Sequence, residues 1–563
     1  MDVKVQLAEA LSERIGIPAE ELEGWLEVPP SPEMGDFAFP CFRLAKTLRK
    51  APVQIAEMLQ GEIILPECFA SAEASGPYLN FRLDKKLQAK AVLERVFDEG
   101  EQYGGSTEGN GKTVCIDYSS VNIAKPFHIG HLRSTIIGNA LYHIYGHLGY
   151  RCVGINHLGD WGTQFGKMLC AYKLWGNKEE IDRGGVQELV KLYVRFHDEA
   201  ETKPELNDQA RHWFSKIEQG DPEATELYYW MKELTLKEAE SVYSMLNIRF
   251  DSYAGESFYN DKMDRVVREL KEKGLLKEDQ GAQIVDLSEW KMPPCIILRS
   301  DGATLYATRD LAAALYRKDT YDFEKCLYVV AYQQDLHFRQ LFKVIELMGY
   351  AWAKDLKHVS FGMVSVKDGT LSTRHGKVIY LKDVLNAAVE KTLTIIREKS
   401  PDLEDKESAA SMVGIGAVVW DGLYNSRIKD ISFDWETALN FDGETGPYVQ
   451  YSHARACSVL RKQKPDCSHI RYESLTDPQS AALIAAIDAF PAAVLDAAEK
   501  NEPFVVSRSV MAISVAFNRF YFEQRILDDD PEIRNARLAL TAAAAQVIRI
   551  GLGLLGIAAP ERM

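Results

Sequence analysis

Nine cysteines are scattered through 563 residues, and no two stand as Cys-x-x-Cys. Their spacing argues against a four-ligand structural zinc site and for reduced thiols in a cytosolic compartment. No stretch is expected to reach the length of a membrane span. The opening Met1-Asp2-Val3-Lys4-Val5-Gln6 lacks the basic-then-apolar pattern of a secretory leader, so export is not expected. No repeat of roughly 20–50 residues and no low-complexity tract appears, which argues against a solenoid. Positive charge is also short: 66 Lys and Arg face 82 Asp and Glu, a net charge of −16. A non-specific nucleic-acid coat is basic overall, so that class is disfavoured; an RNA binder with local basic patches stays open. The length exceeds a single core and points to about three to four domains.

What the chain does have is concentrated between Ser119 and Arg133. Val114–Tyr118 reads as a buried strand, a short apolar run rich in β-formers. Beyond it, Ile129, Leu132, Ile136, Ala140, Leu141, Ile144 and Leu148 recur at helical spacing. Pro126 belongs in the loop or in a first helical turn. A loop with His128 and His131 therefore lies between a strand's carboxyl end and a helix amino terminus. Open α/β sheets bind ligands there, and the free N–H groups favour phosphate. The two histidines are three apart and can share one side of the first turn, with Gly130 leaving room for close approach.

The string His128-Ile129-Gly130-His131, with Asn122 and Ala124-Lys125-Pro126-Phe127 before it, resembles the HIGH signature of class I aminoacyl-tRNA synthetases in its arginyl form. The resemblance runs along the whole chain. Residues 1–105 read as an α+β unit: a turn-rich Pro29–Asp36, an apolar Phe37–Leu44, a helix from Pro52 to Leu59 and a strand over Gly76–Leu83. This unit looks like the N-terminal domain of arginyl-tRNA synthetases, which implies contact with the tRNA elbow, its strand aromatics and asparagine suited to exposed bases. Tyr103–Lys112 supplies a flexible linker.

Residues 106–385 are expected to form a class I Rossmann-like α/β catalytic domain with a charged helical insertion at about 173–248, in which no chemistry is legible. Arg151–Ile155 reads as its second strand, followed by Asn156-His157-Leu158-Gly159-Asp160-Trp161-Gly162, similar to a family segment lining the active site. Ile296–Arg299 reads as a strand, Asp301-Gly302 as a turn, and Tyr306 and Asp310 sit at a helix start with Thr308 as a candidate cap. Tyr328–Ala331 is another strand, with Asp335 a candidate N-cap beyond it. From about 386 to 563 the chain is expected to be all-helical and resembles the family's anticodon-binding bundle. There Tyr448–Lys462 mixes aromatic and basic residues suited to unstacked RNA.

The resemblance implies ATP-dependent ligation of L-arginine to tRNA(Arg), in the cytoplasm, by a bacterial-type monomer without a membrane partner. Arginine offers five donors in a planar fork, so its pocket needs carboxylate and carbonyl acceptors. Matched residue by residue, those are Asn122, Glu256, Tyr306, Asp310 and Gln334. His128 and His131 would stabilise phosphate, Gly130, Gly159 and Asp160 would line the nucleotide site, and magnesium would travel with ATP. The family's second signature, a Lys-Met-Ser-Lys-Ser loop, matches Val366–Lys377, but both lysine positions carry threonine, Thr370 and Thr373. Lys125, Ser372 and Arg374 are the catalytic replacements the match offers. The family usually activates arginine only with tRNA bound. Two rivals remain: the same fold charging another amino acid, and a non-catalytic RNA-binding paralogue.

Overall fold

The computed structural model describes residues 3–123, 127–300, 306–366 and 379–563. Two compact units emerge. One gathers Met1–Gly100, Val459–Asp488 and Val515–Ala545. In it β1 (Phe37–Pro40), β2 (Phe69–Ser75) and β3 (Tyr78–Leu83) form an antiparallel sheet in the order β1-β3-β2. Helices Val3–Ile15 and Pro52–Glu62 supply Leu7, Leu11, Ile55 and Leu59 to the core beside Phe39, Leu79 and Phe81. Asn80 and Phe81 are buried and so are not presented to a base. That corrects the expectation from the strand's composition: the pleat turns Phe81 inward, and the accessible aromatics are Phe42 and Tyr78, edge to face at 5.8 Å.

The other unit comprises Glu101–Ser458, Ala489–Ser514 and Gln546–Met563. Its main sheet contains β4 (Thr113–Asp117) and β5 (Arg151–Ile155), joined by α1 (Leu132–His147), with α2 (Thr163–Trp175) following β5. An antiparallel meander of β6 (Leu276–Asp279), β7 (Ala282–Val285) and β8 (Cys295–Leu298) precedes β9 (Phe323–Tyr328) and β10 (Leu356–His358). The main sheet is parallel in the order β10-β9-β4-β5, with Cys115 opposite both Val153 and Cys326. Every residue of β4 is buried, as a strand covered by helices on both faces requires. Because β5 and β9 flank β4 on opposite sides, the winding reverses beside β4. A crevice opens beyond the carboxyl ends there.

Two expectations fail. The region after 386 is not wholly helical: β12 (Ile431–Phe433) pairs in parallel with β11 (Val364–Val366). Three residues are too few to show periodicity, and their partner lies far upstream. Two segments, Pro478–Lys500 and Pro531–Leu554, are long and apolar enough to cross a membrane by length and composition. Within Pro531–Leu554, Leu538, Leu540, Val547 and Leu552 are fully buried in the protein, as a core helix demands.

Candidate active site

The crevice is shaped first by backbone geometry. Directly after β4, Ser119 and Ser120 have φ of +68° and +48°, a left-handed conformation that side chains with a Cβ rarely adopt. Hydroxyls hold the turn. The Ser119 N–H donates to Ser134 Oγ at 2.9 Å, Thr135 Oγ1 donates to Ser119 Oγ at 2.9 Å, and Ser119 Oγ pairs with Tyr243 Oη at 2.8 Å. Tyr243 Oη also accepts from Asn156 Nδ2 at 2.9 Å, so one buried phenol joins the loops that follow β4 and β5. Tyr243 comes from α3 (Pro222–Met245), inside the insertion where the sequence showed no chemistry. Its role is visible only after folding, because a tyrosine in a charged helix carries no local mark.

The loop then enters a short 3₁₀ turn, Ile129–His131, ahead of α1. His128 Nδ1 accepts from the Gly130 N–H at 3.0 Å, and His131 Nδ1 accepts from the His128 N–H at 3.2 Å. Both rings are thereby fixed in the tautomer that carries its proton on Nε2. The rings lie with centroids 4.0 Å apart, tilted by 36°, and become two oriented N–H donors. A Cβ at Gly130 would stand 2.8 Å from His128 Cε1. The glycine's immediate service is to make room for that ring. His128 also bridges to Tyr380, and the Ile129 and Leu381 N–H groups donate to Ile379 and Phe127 carbonyls at 3.0 and 2.9 Å. The histidine turn is thus tied to residues 379–381, just beyond the second signature.

Across the crevice, α4 (Tyr306–Tyr321) carries Asp310 and α5 (Asp335–Leu347) carries His337. His337 Nε2 lies 2.7 Å from one Asp310 oxygen, and His157 Nε2 lies 3.7 Å from the other. Burial works against ionisation of Asp310, but the His337 hydrogen bond and the charges of His337, His157 and Arg317 outweigh it. The carboxyl is held below its ordinary range. Arg317, seven residues along the same helix, pairs with Asp117 at 2.7 Å, both side chains buried. That pair locks the helix of Asp310 to the end of β4. Tyr306, 63% exposed, lies one turn before Asp310 on the same face. Gln334 ends the 3₁₀ turn Tyr332–Gln334 that opens α5, one turn before His337. Thr308 is not a cap: the helix begins at Tyr306, and the Thr308 hydroxyl donates to the Ile297 carbonyl at 2.5 Å. Asp335 is the first helical residue, Gln334 holding the cap position.

Beside this lies a second carboxylate. Glu256 is 17% exposed, its Oε2 has no hydrogen-bond partner among the described residues, and Arg309 Nη1 stands 3.9 Å away. Burial raises the Glu256 carboxyl to about 7, Arg309 pulling it down and Asp310 and Asp160 pushing it up. Asp160, expected at the nucleotide, is instead fully buried and bonded inward, to the Ser257 N–H at 2.8 Å, Ser257 Oγ at 2.7 Å and Lys232 Nζ. Gly159 likewise serves a neighbour: a Cβ there would fall 2.2 Å from Asn122 Oδ1, and Gly159 bridges Asn122 through the backbone. It makes room for the asparagine.

Lys125, Ser372 and Arg374 lie outside the described residues. His157, His337, Tyr243 and Lys232 were missed from sequence. The two histidines had a signal of sorts, since a carboxylate needs donors: His157 stands in the polar loop after β5 and His337 in the first turn of α5. In the bundle helix, Gln450 and His453 are buried, Gln450 Nε2 donating to the Met412 and Ala558 carbonyls and the His453 ring meeting the Pro560 carbonyl. Tyr451, 40% exposed beneath Arg455 at 4.7 Å, presents the aromatic–basic pair.

Residues 92–435 match the family described as class I tRNA synthetases (R), catalytic domain; residues 449–563 match the DALR anticodon binding domain, and residues 1–83 the arginyl tRNA synthetase N terminal domain. The chain is 56% identical over 564 residues to arginine–tRNA ligase of Alkaliphilus metalliredigens and 55% identical to that of Clostridioides difficile, covering 100% of each protein. Among solved structures, arginyl-tRNA synthetase of Thermus thermophilus superposes with a TM-score of 0.80 at 26% identity, covering 100% of this chain and 99% of that one. Methionyl-tRNA synthetase of Mycobacterium tuberculosis shares the fold at a TM-score of 0.51 over 80% of this chain, at 11% identity.

Proposed function

The chain belongs to the arginyl-tRNA synthetases, and from that premise we propose how its own residues carry the ligation of arginine to tRNA. The arginine carboxylate attacks the α-phosphorus of ATP, pyrophosphate leaves, and arginyl-adenylate remains. The 2′-hydroxyl of the terminal adenosine of tRNA(Arg) then attacks the activated carbonyl, and AMP leaves. No side chain forms a covalent bond, so catalysis is positioning plus stabilisation of developing charge.

Asn122, Glu256, Tyr306, Asp310 and Gln334 receive arginine; the observation that carries this is Asp310, kept ionised between two histidines in the crevice. The Nε2–H groups of His128 and His131 donate to the ATP phosphates. Lys125, Ser372 and Arg374 balance charge on the departing pyrophosphate in place of the lysines lost at Thr370 and Thr373. Among the described residues no three His, Cys, Asp or Glu side chains gather to hold a metal ion. Magnesium enters this reading with ATP, as the MgATP substrate. The reading includes a cytoplasmic monomer.

Glu256 provides the test. With a carboxyl raised to about 7, Glu256 is charged above neutrality and protonated below it, so the pocket loses an acceptor for a cation as pH falls. Arginine KM in pyrophosphate exchange is expected to rise about tenfold from pH 8 to pH 6, approaching tenfold per unit below the midpoint. Glu256→Gln is expected to start from a raised KM and to flatten this dependence. A slope unchanged in Glu256→Gln removes Glu256 from the pocket.

A further inference from the structure

We propose that Lys232 is a positioning residue for the amino-acid pocket, holding the segment that carries Glu256 in place through Asp160. The inference rests on the reading that Glu256 faces arginine. Asp160 has no exposed surface, and a carboxylate so far from water needs a counter-ion. Lys232 Nζ, from α3 of the insertion, is the ion-pair partner that the described residues give it. The remaining acceptor capacity of the carboxylate is directed at the next loop: the Ser257 N–H at 2.8 Å and Ser257 Oγ at 2.7 Å. The same helix grips the backbone of that residue, Tyr228 Oη donating to the Asp160 carbonyl at 2.8 Å.

Residues 255–257 rest directly on this hub. A Cβ at Gly255 would fall 2.7 Å from both Asp160 Oδ1 and the Leu158 carbonyl, and the Glu256 N–H donates to that carbonyl at 2.9 Å. Glu256 is therefore flanked on both sides by contacts to the loop that Lys232 neutralises. Without the ammonium, the buried carboxylate is left without its counter-ion, which rearranges its bonds to Ser257 and displaces the neighbouring Glu256. Lys232 also lines a cavity of about 790 Å³ with Tyr253 and Phe258, so methionine fits at 232 without new crowding. The insertion thus controls arginine binding from outside the pocket, without touching the substrate.

The experiment is steady-state pyrophosphate exchange, with tRNA(Arg) present, on the full chain carrying Lys232→Met, Lys232→Arg or Glu256→Gln. Lys232→Met is expected to raise arginine KM at least tenfold, with ATP KM within twofold and kcat within threefold of the parent. Lys232→Arg, which restores a cation, is expected to return arginine KM to within threefold. A Lys232→Met enzyme with parental arginine KM overturns the proposal, as does one whose arginine and ATP KM rise together. If Glu256→Gln itself leaves arginine KM unchanged, the reading of Glu256 fails; if it raises KM while Lys232→Met does not, only the present inference fails. Should Lys232→Met not fold, the charge-neutral pair Asp160→Asn with Lys232→Met removes the unpaired charge. Its arginine KM is expected to stay at least fivefold raised, and a parental value is again contradictory.

Discussion

Asp310→Asn is expected to raise arginine KM in pyrophosphate exchange by about a hundredfold to a thousandfold, with ATP KM unchanged. The substitution keeps the shape of the side chain and removes only its charge. A planar guanidinium needs an ionised, two-oxygen acceptor, and once bound arginine covers the open part of Asp310, losing one partner of the enclosed pair costs about 3–5 kcal/mol. The surroundings of Asp310 are built to keep that charge: His337 at 2.7 Å and His157 at 3.7 Å each face one oxygen. In the variant, one oxygen becomes an NH₂ that meets donors with a donor, so the pocket is misarranged as well as neutral. Lysine is not expected to gain what arginine loses, because its ammonium also needs the carboxylate. A KM within threefold of the parent places the guanidinium elsewhere.

His128→Ala and His131→Ala are expected to lower kcat for exchange by about a hundredfold to a thousandfold each, arginine KM staying within threefold. Each ring takes a backbone N–H on Nδ1 and presents Nε2–H, a donor set in place before the phosphate arrives. Such a donor acts most on charge that develops in the transition state, which is why the loss appears in kcat. The double variant is expected to fall well short of the product of the two losses, because His131 Nδ1 accepts from the backbone of His128 and the two rings are in contact. A rise in arginine KM with unaltered kcat contradicts this division of labour.

The parts of the fold legible in the sequence are those with local signals. Val114–Tyr118 and the helix after His131 announce themselves through an apolar run and a helical period, and the structure has β4 and α1 there. Pairings across long separations were not legible. β12 became a strand only because Val364–Val366 lies beside it, and nothing within three residues could reveal that. The site divides in the same way. His128, His131 and Asp310 stand in motifs, whereas Tyr243 and Lys232 lie on a charged helix whose inward face is defined only once it crosses the crevice. Glycines carry a meaning that only the fold reveals: at Gly130 and Gly159, expected at the nucleotide, the place a Cβ would take is held by His128 and Asn122. Asp160 misled for a related reason: a carboxylate in a glycine-rich loop looks available, and its burial against Ser257 and Lys232 is a tertiary fact.

The most direct test of the central claim is ATP–pyrophosphate exchange in the presence of tRNA(Arg), with arginine, lysine and cysteine supplied separately. The account predicts exchange with arginine, lost in Asp310→Asn at ordinary arginine concentrations, and none with lysine or cysteine. Exchange driven equally by lysine, or no exchange with arginine while tRNA remains bound, would contradict it.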